Sequence, residues 1–266
     1  MSAPARLRCV DVSYVYPTRS GSTTALADVS IELRPDELTC LVGPSGCGKS
    51  TLLKLFAGLL RPTSGRIEVD VTSDVERLDR ALVFQDHGVF PWMTVVDNVG
   101  FGLEFRRLPR AETRRRALEL LRQVGLEAFA RSYPHELSVG MRQRVALARA
   151  FVAHPQILLM DEPLAALDAL TKLVLQQELL RLWELHRPQI LYVTHDLAEA
   201  AMLADRVLAM SARPGRILLD LEVALPRPRD LENRNHAQVV EIERRLWGAL
   251  EPEVRRGLSI PGRGEA

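Results

Sequence analysis

The segment from Leu38 to Leu60, LTCLVGPSGCGKSTLLKLFAGLL, constrains this chain more than any other. Leu38 to Val42 is a short apolar, β-favouring run that reads as a buried strand. The next eight residues, Gly43, Pro44, Ser45, Gly46, Cys47, Gly48, Lys49 and Ser50, fit the pattern G-x-x-x-x-G-K-[ST]. Leu52, Leu53, Leu55, Phe56, Leu59 and Leu60 then follow at helical spacing. A strand, a glycine loop and a helix start are the context this pattern needs. The glycines let successive backbone N–H groups converge on phosphate oxygens, and the positive helix end adds to the attraction. Lys49 supplies a charge for the β- and γ-phosphates, and the Ser50 hydroxyl suits a magnesium ligand. By average residue usage such a match arises in on the order of one chain in a hundred. The flanking strand and helix lower that further. Nucleotide binding follows.

Composition narrows the setting. The 266 residues suffice for a sizeable core, as one large domain or one domain with an attachment. A net charge of +1 leaves no footprint of a nucleic-acid binder, so no nucleic-acid partner is expected. No apolar run reaches the roughly 18 residues of a membrane span, and the opening MSAPARLRCV lacks the apolar core of a signal peptide. The three scattered cysteines have no metal-ligand spacing, which suits a reduced cytoplasm. Work at a membrane would be done from its side.

Two further strand ends carry chemistry. Ile157 to Met160 is an apolar run ending in Asp161-Glu162, as expected of a buried parallel strand with acids at its carboxyl end. Ligands of open α/β sheets sit at that end. Asp161 is placed to hold magnesium through water and Glu162 to polarise an attacking water. Pro163 then stops the strand. Ile190 to Val193 leads into Thr194-His195-Asp196, where His195 is suited to donate a hydrogen bond to the γ-phosphate. Gln85, in ALVFQDHGVFPW, follows another apolar run, and its neutral amide suits magnesium or water.

From about residue 6 to 225 the chain resembles the ATPase subunit of ABC transporters, with seven motifs in that family's order. Gly43, Pro44, Ser45, Gly46, Cys47, Gly48, Lys49, Ser50 and Thr51 match its Walker A loop, Gln85 its Q-loop, and Asp161 with Glu162 its Walker B pair. Asp168 in LAALD matches the D-loop and His195 the switch histidine. Tyr16 matches the aromatic that stacks on adenine, with Tyr14 as the rival candidate. Leu137 to Met141, LSVGM, matches the signature, whose Ser138 and Gly140 face the γ-phosphate held by a second subunit. The family has glycine where this chain has Val139. Ser138 suits an N-cap, which puts Val139 in the first helical turn, where a β-branched residue finds the negative φ it tolerates.

The resemblance implies an α/β P-loop NTPase core of RecA-like type, an antiparallel β subdomain, and a helical insert over about Val95 to Val152 carrying the signature. Residues 1–225 then form the ATPase domain and 226–266 a helical extension and tail. In the extension, Asp230 can cap a helix whose stripe Val239, Ile242, Leu246 and Leu250 docks on the main domain or, alternatively, serves regulation. The ending GLSIPGRGEA reads as disordered. Arg114 to Arg116 read as a solvated helix face.

SARPGRI at Ser211 to Ile217, LPRPRD, and FQDHGVFPWMTVVDNV resemble the importers of nitrate, aliphatic sulfonates and taurine. That implies ATP and Mg²⁺ as ligands, a second ATPase copy, an integral-membrane permease, indirectly a solute-binding protein, and a peripheral place on the cytoplasmic membrane face. Phe90, Trp92 and Met93 read as facing the permease, the alternative being that Phe90 and Trp92 pin the insert to the core. The alternative is a non-transport ABC-type ATPase of DNA repair or translation. A repair ATPase would carry coiled-coil heptads before the signature and a translation factor two ATPase units, and this chain has neither pattern.

Overall fold

The structure, a computed structural model, describes residues 5–18, 21–71, 78–85, 88–106, 108–229 and 237–258. Its centre is a six-stranded sheet in the order β5 (Leu78–Val83), β6 (Pro155–Asp161), β7 (Gln189–Val193), β3 (Leu38–Val42), β8 (Arg206–Met210) and β9 (Ile217–Glu222). The first five strands are parallel and β9 runs antiparallel to β8. β3, β7 and β8 are buried along their whole length, as parallel strands covered on both faces should be.

Alternation along these strands divides the core in two. Leu38, Cys40, Leu158, Met160, Ile190 and Tyr192 face one side, with the helices α2 (Val95–Phe101), α3 (Arg110–Gln123), α4 (Val139–Phe151), α5 (Ala169–His186) and α6 (Leu197–Leu203). Leu41, Ile157, Leu159, Leu191 and Val193 face the other. There they meet α1 (Lys49–Phe56) and an antiparallel sheet of β2 (Gly21–Leu33), β1 (Arg6–Thr18) and β4 (Ser64–Asp70).

Polar side chains at the helix starts show why the helices begin where they do. Thr94, Ser138, Asp168 and Asp196 each accept a backbone N–H from the first turn of α2, α4, α5 and α6 respectively. The segment expected as a helical insert holds α2, α3 and α4, linked by short 3₁₀ turns at Glu104–Arg106, Glu127–Phe129 and Pro134–Glu136. The Arg114–Arg116 run lies on a solvated face, with Arg114 and Arg115 exposed and Arg116 half-buried. Arg115 and Arg116 both pair with Glu112, and Arg114 lines a groove between α2 and α3.

At the C-terminal end, α7 (Ala237–Leu258) lies against α6, β8 and β9. Val239, Ile242, Leu246 and Leu250 are all buried, so the stripe docks on the core. The helix continues through Gly257 and Leu258, where the sequence reads as disordered. Asp230 and residues 259–266 lie outside the described residues. Leu246→Ala is expected to lower unfolding free energy by about 2–5 kcal/mol in urea denaturation. Val240→Ala, on the exposed side of α7, is expected to stay within about 0.5 kcal/mol of the parent.

Candidate functional site

The carboxyl ends of β3, β5, β6 and β7 converge because β6 and β7 are neighbours, flanked by β5 and β3. From these ends come the glycine loop, Gln85, the Asp161–Glu162 pair and His195. A cavity of about 610 Å³ opens there. Among its lining residues are Tyr16, Ser45, Gly46, Gly48, Lys49, Ser50, Thr51, Gln85 and Glu162.

The loop is built for close backbone approach. Gly46 and Gly48 take φ of +72° and +112°, the left-handed region that glycine enters without cost. A Cβ on Gly48 would lie 2.9 Å from the Ala25 carbonyl, and one on Gly43 would lie 2.7 Å from that of Met210. Lys49, only 5% exposed, directs Nζ to the carbonyls of Gly43 at 2.7 Å and Pro44 at 3.0 Å. Its ammonium therefore spans the loop from within. Pro44 and Cys47 shape the loop rather than the cavity wall: Cys47 N–H donates to Pro44 O at 3.3 Å, and the Cys47 thiol is buried, which raises its pKa.

Ser50 Oγ donates to Asp161 Oδ1 at 3.0 Å, bringing two hard oxygen atoms together from positions 111 residues apart. Burial raises the Asp161 pKa, and the Ser50 hydrogen bond opposes the rise. Glu162 adopts φ of +46°, rare for a residue with a side chain, and donates its N–H to Val193 O at 3.0 Å. Its carboxylate accepts from His195 Nδ1 at 2.9 Å. With Nδ1 engaged in that way, Nε2 is the ring nitrogen left to face another group.

The tyrosine alternatives separate. Tyr16 lines the cavity with its hydroxyl 3.2 Å from Thr51 Oγ1, whereas Tyr14 packs against the core beside it, ring to ring at 4.7 Å. Ser138, Gly140 and Asp168 are not among the residues lining the cavity. They gather elsewhere: Ser138 caps α4, Asp168 caps α5, and a Cβ on Gly140 would meet Thr171 of α5 at 2.8 Å. Val139 is the first residue of α4 and 40% exposed. Asp168 accepts from the N–H groups of Leu170 and Thr171, and the Thr171 hydrogen bond lowers its pKa.

Sequence reasoning missed several residues. Arg213, Thr18, Thr23 and Ala25 also line the cavity. Behind His195, the buried Glu199 accepts from Tyr192, Thr194 and Gln176, and Lys172 bonds Asp196 at 2.8 Å. Burial works against the Lys172 ammonium, but Asp196 and Glu199 outweigh it and raise its pKa. The spacing of Asp196 and Glu199 signals a helix start, whereas Lys172 lies on another helix and gives no local sign. Asn98 was missed too. Fully buried, it accepts from Phe90 N and donates to the carbonyls of Phe90, Met93 and Thr94.

The phosphate cradle, the acid pair and the parallel sheet together define a P-loop nucleotide hydrolase. Residues 26–165 match the family model described as ABC transporter, and the chain belongs to that family as an ATP-binding cassette ATPase. It is 40% identical over 255 residues to an uncharacterised ABC transporter ATP-binding protein of Methanocaldococcus jannaschii, covering 95% of this chain and 94% of that one. It is 46% identical to the nitrate import ATP-binding protein NrtD of Synechocystis, covering 83% of each chain. Identity to the taurine import ATP-binding protein TauB of Burkholderia thailandensis is 48%, over 80% of this chain and 83% of that one. Among solved structures, the dimeric cassette MJ0796 in a post-hydrolysis state with ADP and Pi matches with a TM-score of 0.71 at 31% identity, covering 83% of this chain and all of that one.

A carboxyl group with a raised folded-state pKa stabilises the fold while protonated, and that contribution is lost as pH rises through the raised value. For Asp161, ionisation as pH rises therefore works against the fold. Asp161→Asn is expected to melt above the parent at pH 7 in EDTA, while hydrolysing ATP far more slowly. Equal melting temperatures would show that burial of this carboxylate carries no stability cost.

Proposed function

We propose that this chain powers import of a small anionic solute, of the nitrate, sulfonate or taurine kind, through a separate integral-membrane permease. It does so as half of an ATP sandwich with a second copy. The observation that carries the sandwich is the separation within one chain. Ser138, Gly140 and Asp168 cluster at two neighbouring helix starts, apart from the residues lining the P-loop cavity. The first N–H groups of a helix have no partner within it, so α4 offers donors that a partner's γ-phosphate can use. Val139 sits in the first turn at negative φ, so its side chain need not disturb those donors. The dimeric MJ0796 structures support this reading.

In each composite site Tyr16 stacks on adenine, the glycine loop and Lys49 hold the polyphosphate, and Thr51 steadies Tyr16. Glu162 accepts a proton from the attacking water, held in place by Val193 and by His195, which also reaches the γ-phosphate. Ser50, Asp161 and Gln85 form an oxygen-donor set that fits magnesium. Bound there, the ion would neutralise charge on the β- and γ-oxygens.

The permease reading rests on a second cavity. A groove of about 540 Å³ between α2 and α3 is lined by Met93, Val96, Phe101, Leu103, Leu108 and Arg114, among others. Trp92 stands beside it, 70% exposed. Phe90 is different. It is half-buried, packs on Phe101 at 4.7 Å and carries the Arg149 guanidinium at 5.2 Å from its ring. Phe90 thus pins the insert, and Trp92 with Met93 is left for a partner, in keeping with aromatic anchors at interfaces. Among the described residues no helix is long and apolar enough to cross a membrane, so the pore belongs to another chain. A solute-binding protein feeding that permease and a peripheral place on the cytoplasmic membrane face complete the assignment. The named import relatives favour this reading over repair or translation.

Glu162→Gln is expected to bind ATP normally, lose at least about 100-fold in hydrolysis, and shift from monomer to dimer with ATP and magnesium in light scattering. A monomer under every condition, or hydrolysis near the parent rate, would refute the sandwich or the role of Glu162. Trp92→Ala is expected to keep basal ATPase activity and lose pull-down of the cognate permease. Unchanged permease capture would remove Trp92 from the docking face.

A further inference from the structure

Two features stand outside the reaction just described: the loop Ser211–Arg216 between β8 and β9, and α7. They touch each other, and the loop also touches the phosphate cradle. Gly215 is pressed against the glycine loop so closely that a Cβ there would lie 2.3 Å from the Cys47 carbonyl. Its N–H donates to Ala25 O at 2.9 Å, and its carbonyl accepts from Ala27 N at 3.1 Å. The Ser211 hydroxyl closes the loop on itself, donating to Pro214 O at 3.0 Å and accepting from Arg216 N at 2.9 Å. This loop is therefore a shaped support with little freedom to drift.

From that support Arg213 reaches back to the cradle. Its Nε and Nη2 both lie 3.3 Å from the Gly46 carbonyl, and the side chain lines the nucleotide cavity. A peptide unit is planar, so holding the Gly46 carbonyl also orients the Cys47 N–H, which bonds Pro44 O at 3.3 Å. Arg213 and Pro44 thus fix one peptide from both ends, at the turn that shapes the phosphate cradle. On the far side of the loop, the N–H of Ala212 donates to Glu253 Oε2 of α7 at 3.0 Å. Glu253 is only 8% exposed, and its other oxygen pairs with Arg256 at 3.0 Å. A carboxylate this buried is costly unless bonded, so the contact is specific.

We propose that Arg213 is a positioning residue for the triphosphate cradle and that α7, through Glu253 and the Ala212 N–H, sets how Arg213 is presented, so that the seating of the C-terminal helix controls ATP affinity. The helix thereby adds a control point at the rear of the site. The inference needs only ATP binding and is independent of the importer reading.

The test is a double-mutant cycle on the full chain, read by titration with a fluorescent ATP analogue and magnesium. Arg213→Ala and Glu253→Ala are each expected to weaken binding by roughly three- to tenfold, the range of one net hydrogen bond. The double variant should be no weaker than the weaker single one, since both act on one route. Glu253→Gln, whose amide oxygen still accepts from Ala212 N–H, should bind like the parent. Steady-state assays should show the change in KM, with kcat nearly kept. Additive effects, or loss of affinity in Glu253→Gln equal to that in Glu253→Ala, would overturn the coupling. If Glu253→Ala lowers the melting temperature, Arg213→Ala decides alone: its side chain is exposed, and parent-like affinity in that variant overturns the proposal.

Discussion

The Ser50–Asp161 hydrogen bond joins two parts of the chain more than a hundred residues apart, and the nucleotide site depends on it. Ser50 opens α1, so the bond fixes the helix that carries the cradle to the end of β6. Half-buried Asp161 resists ionisation, and the hydroxyl compensates only in part. The site is thus held in a state that a cation would relieve. Under the proposed function, fold stability and catalysis would pull in opposite directions at this residue, as is common where a charge must be kept ready in a desolvated place.

The next layer keeps the moving parts in register. Glu162 is held in a strained backbone conformation by Val193 and His195, both on or just beyond β7. Thr194, next to His195, bonds to Glu199, and Lys172 joins Asp196 and Glu199 to α5, which Asp168 caps. The strand end that carries the histidine and the start of α5 are therefore tied through one ionic cluster around the buried Glu199. Breaking one member would leave a charge buried without its partner, so the cluster acts as a unit.

The two cavities divide the surface by chemistry. The one at the strand ends is polar and glycine-walled, and suits a polyphosphate. The groove between α2 and α3 mixes apolar walls, Met93, Phe101 and Leu108, with the charged Asp97, Glu104, Arg110 and Arg114, and Trp92, next to Met93 in the chain, is exposed. Phe90 and Asn98 are joined by two hydrogen bonds through the Phe90 backbone. Asn98 braces residues 90–94 from within, beside that groove.

Much of this was legible in the linear chain because its determinants are local. The glycine loop needs Gly46 and Gly48 for their backbone angles, the parallel strands show as apolar runs, and Ser138 and Asp196 announce helix starts within three residues. The stripe on α7 was readable from its spacing. Tertiary structure decided the rest, because each case needs an approach between distant segments. Tyr16 rather than Tyr14 meets the cavity because the register of β1 against its neighbours turns it that way. Gly140 is required by the nearness of Thr171 as well as by any phosphate, and Phe90 and Trp92, whose rings lie 5.5 Å apart, differ because Phe90 also packs on Phe101 and under Arg149 while Trp92 stays exposed. Arg213 gave no sign of its place, since a cation on a loop acquires meaning only when folding lays it against a carbonyl more than a hundred residues away. Local backbone preference wrote the cradle into the sequence; long-range packing chose what stands around it.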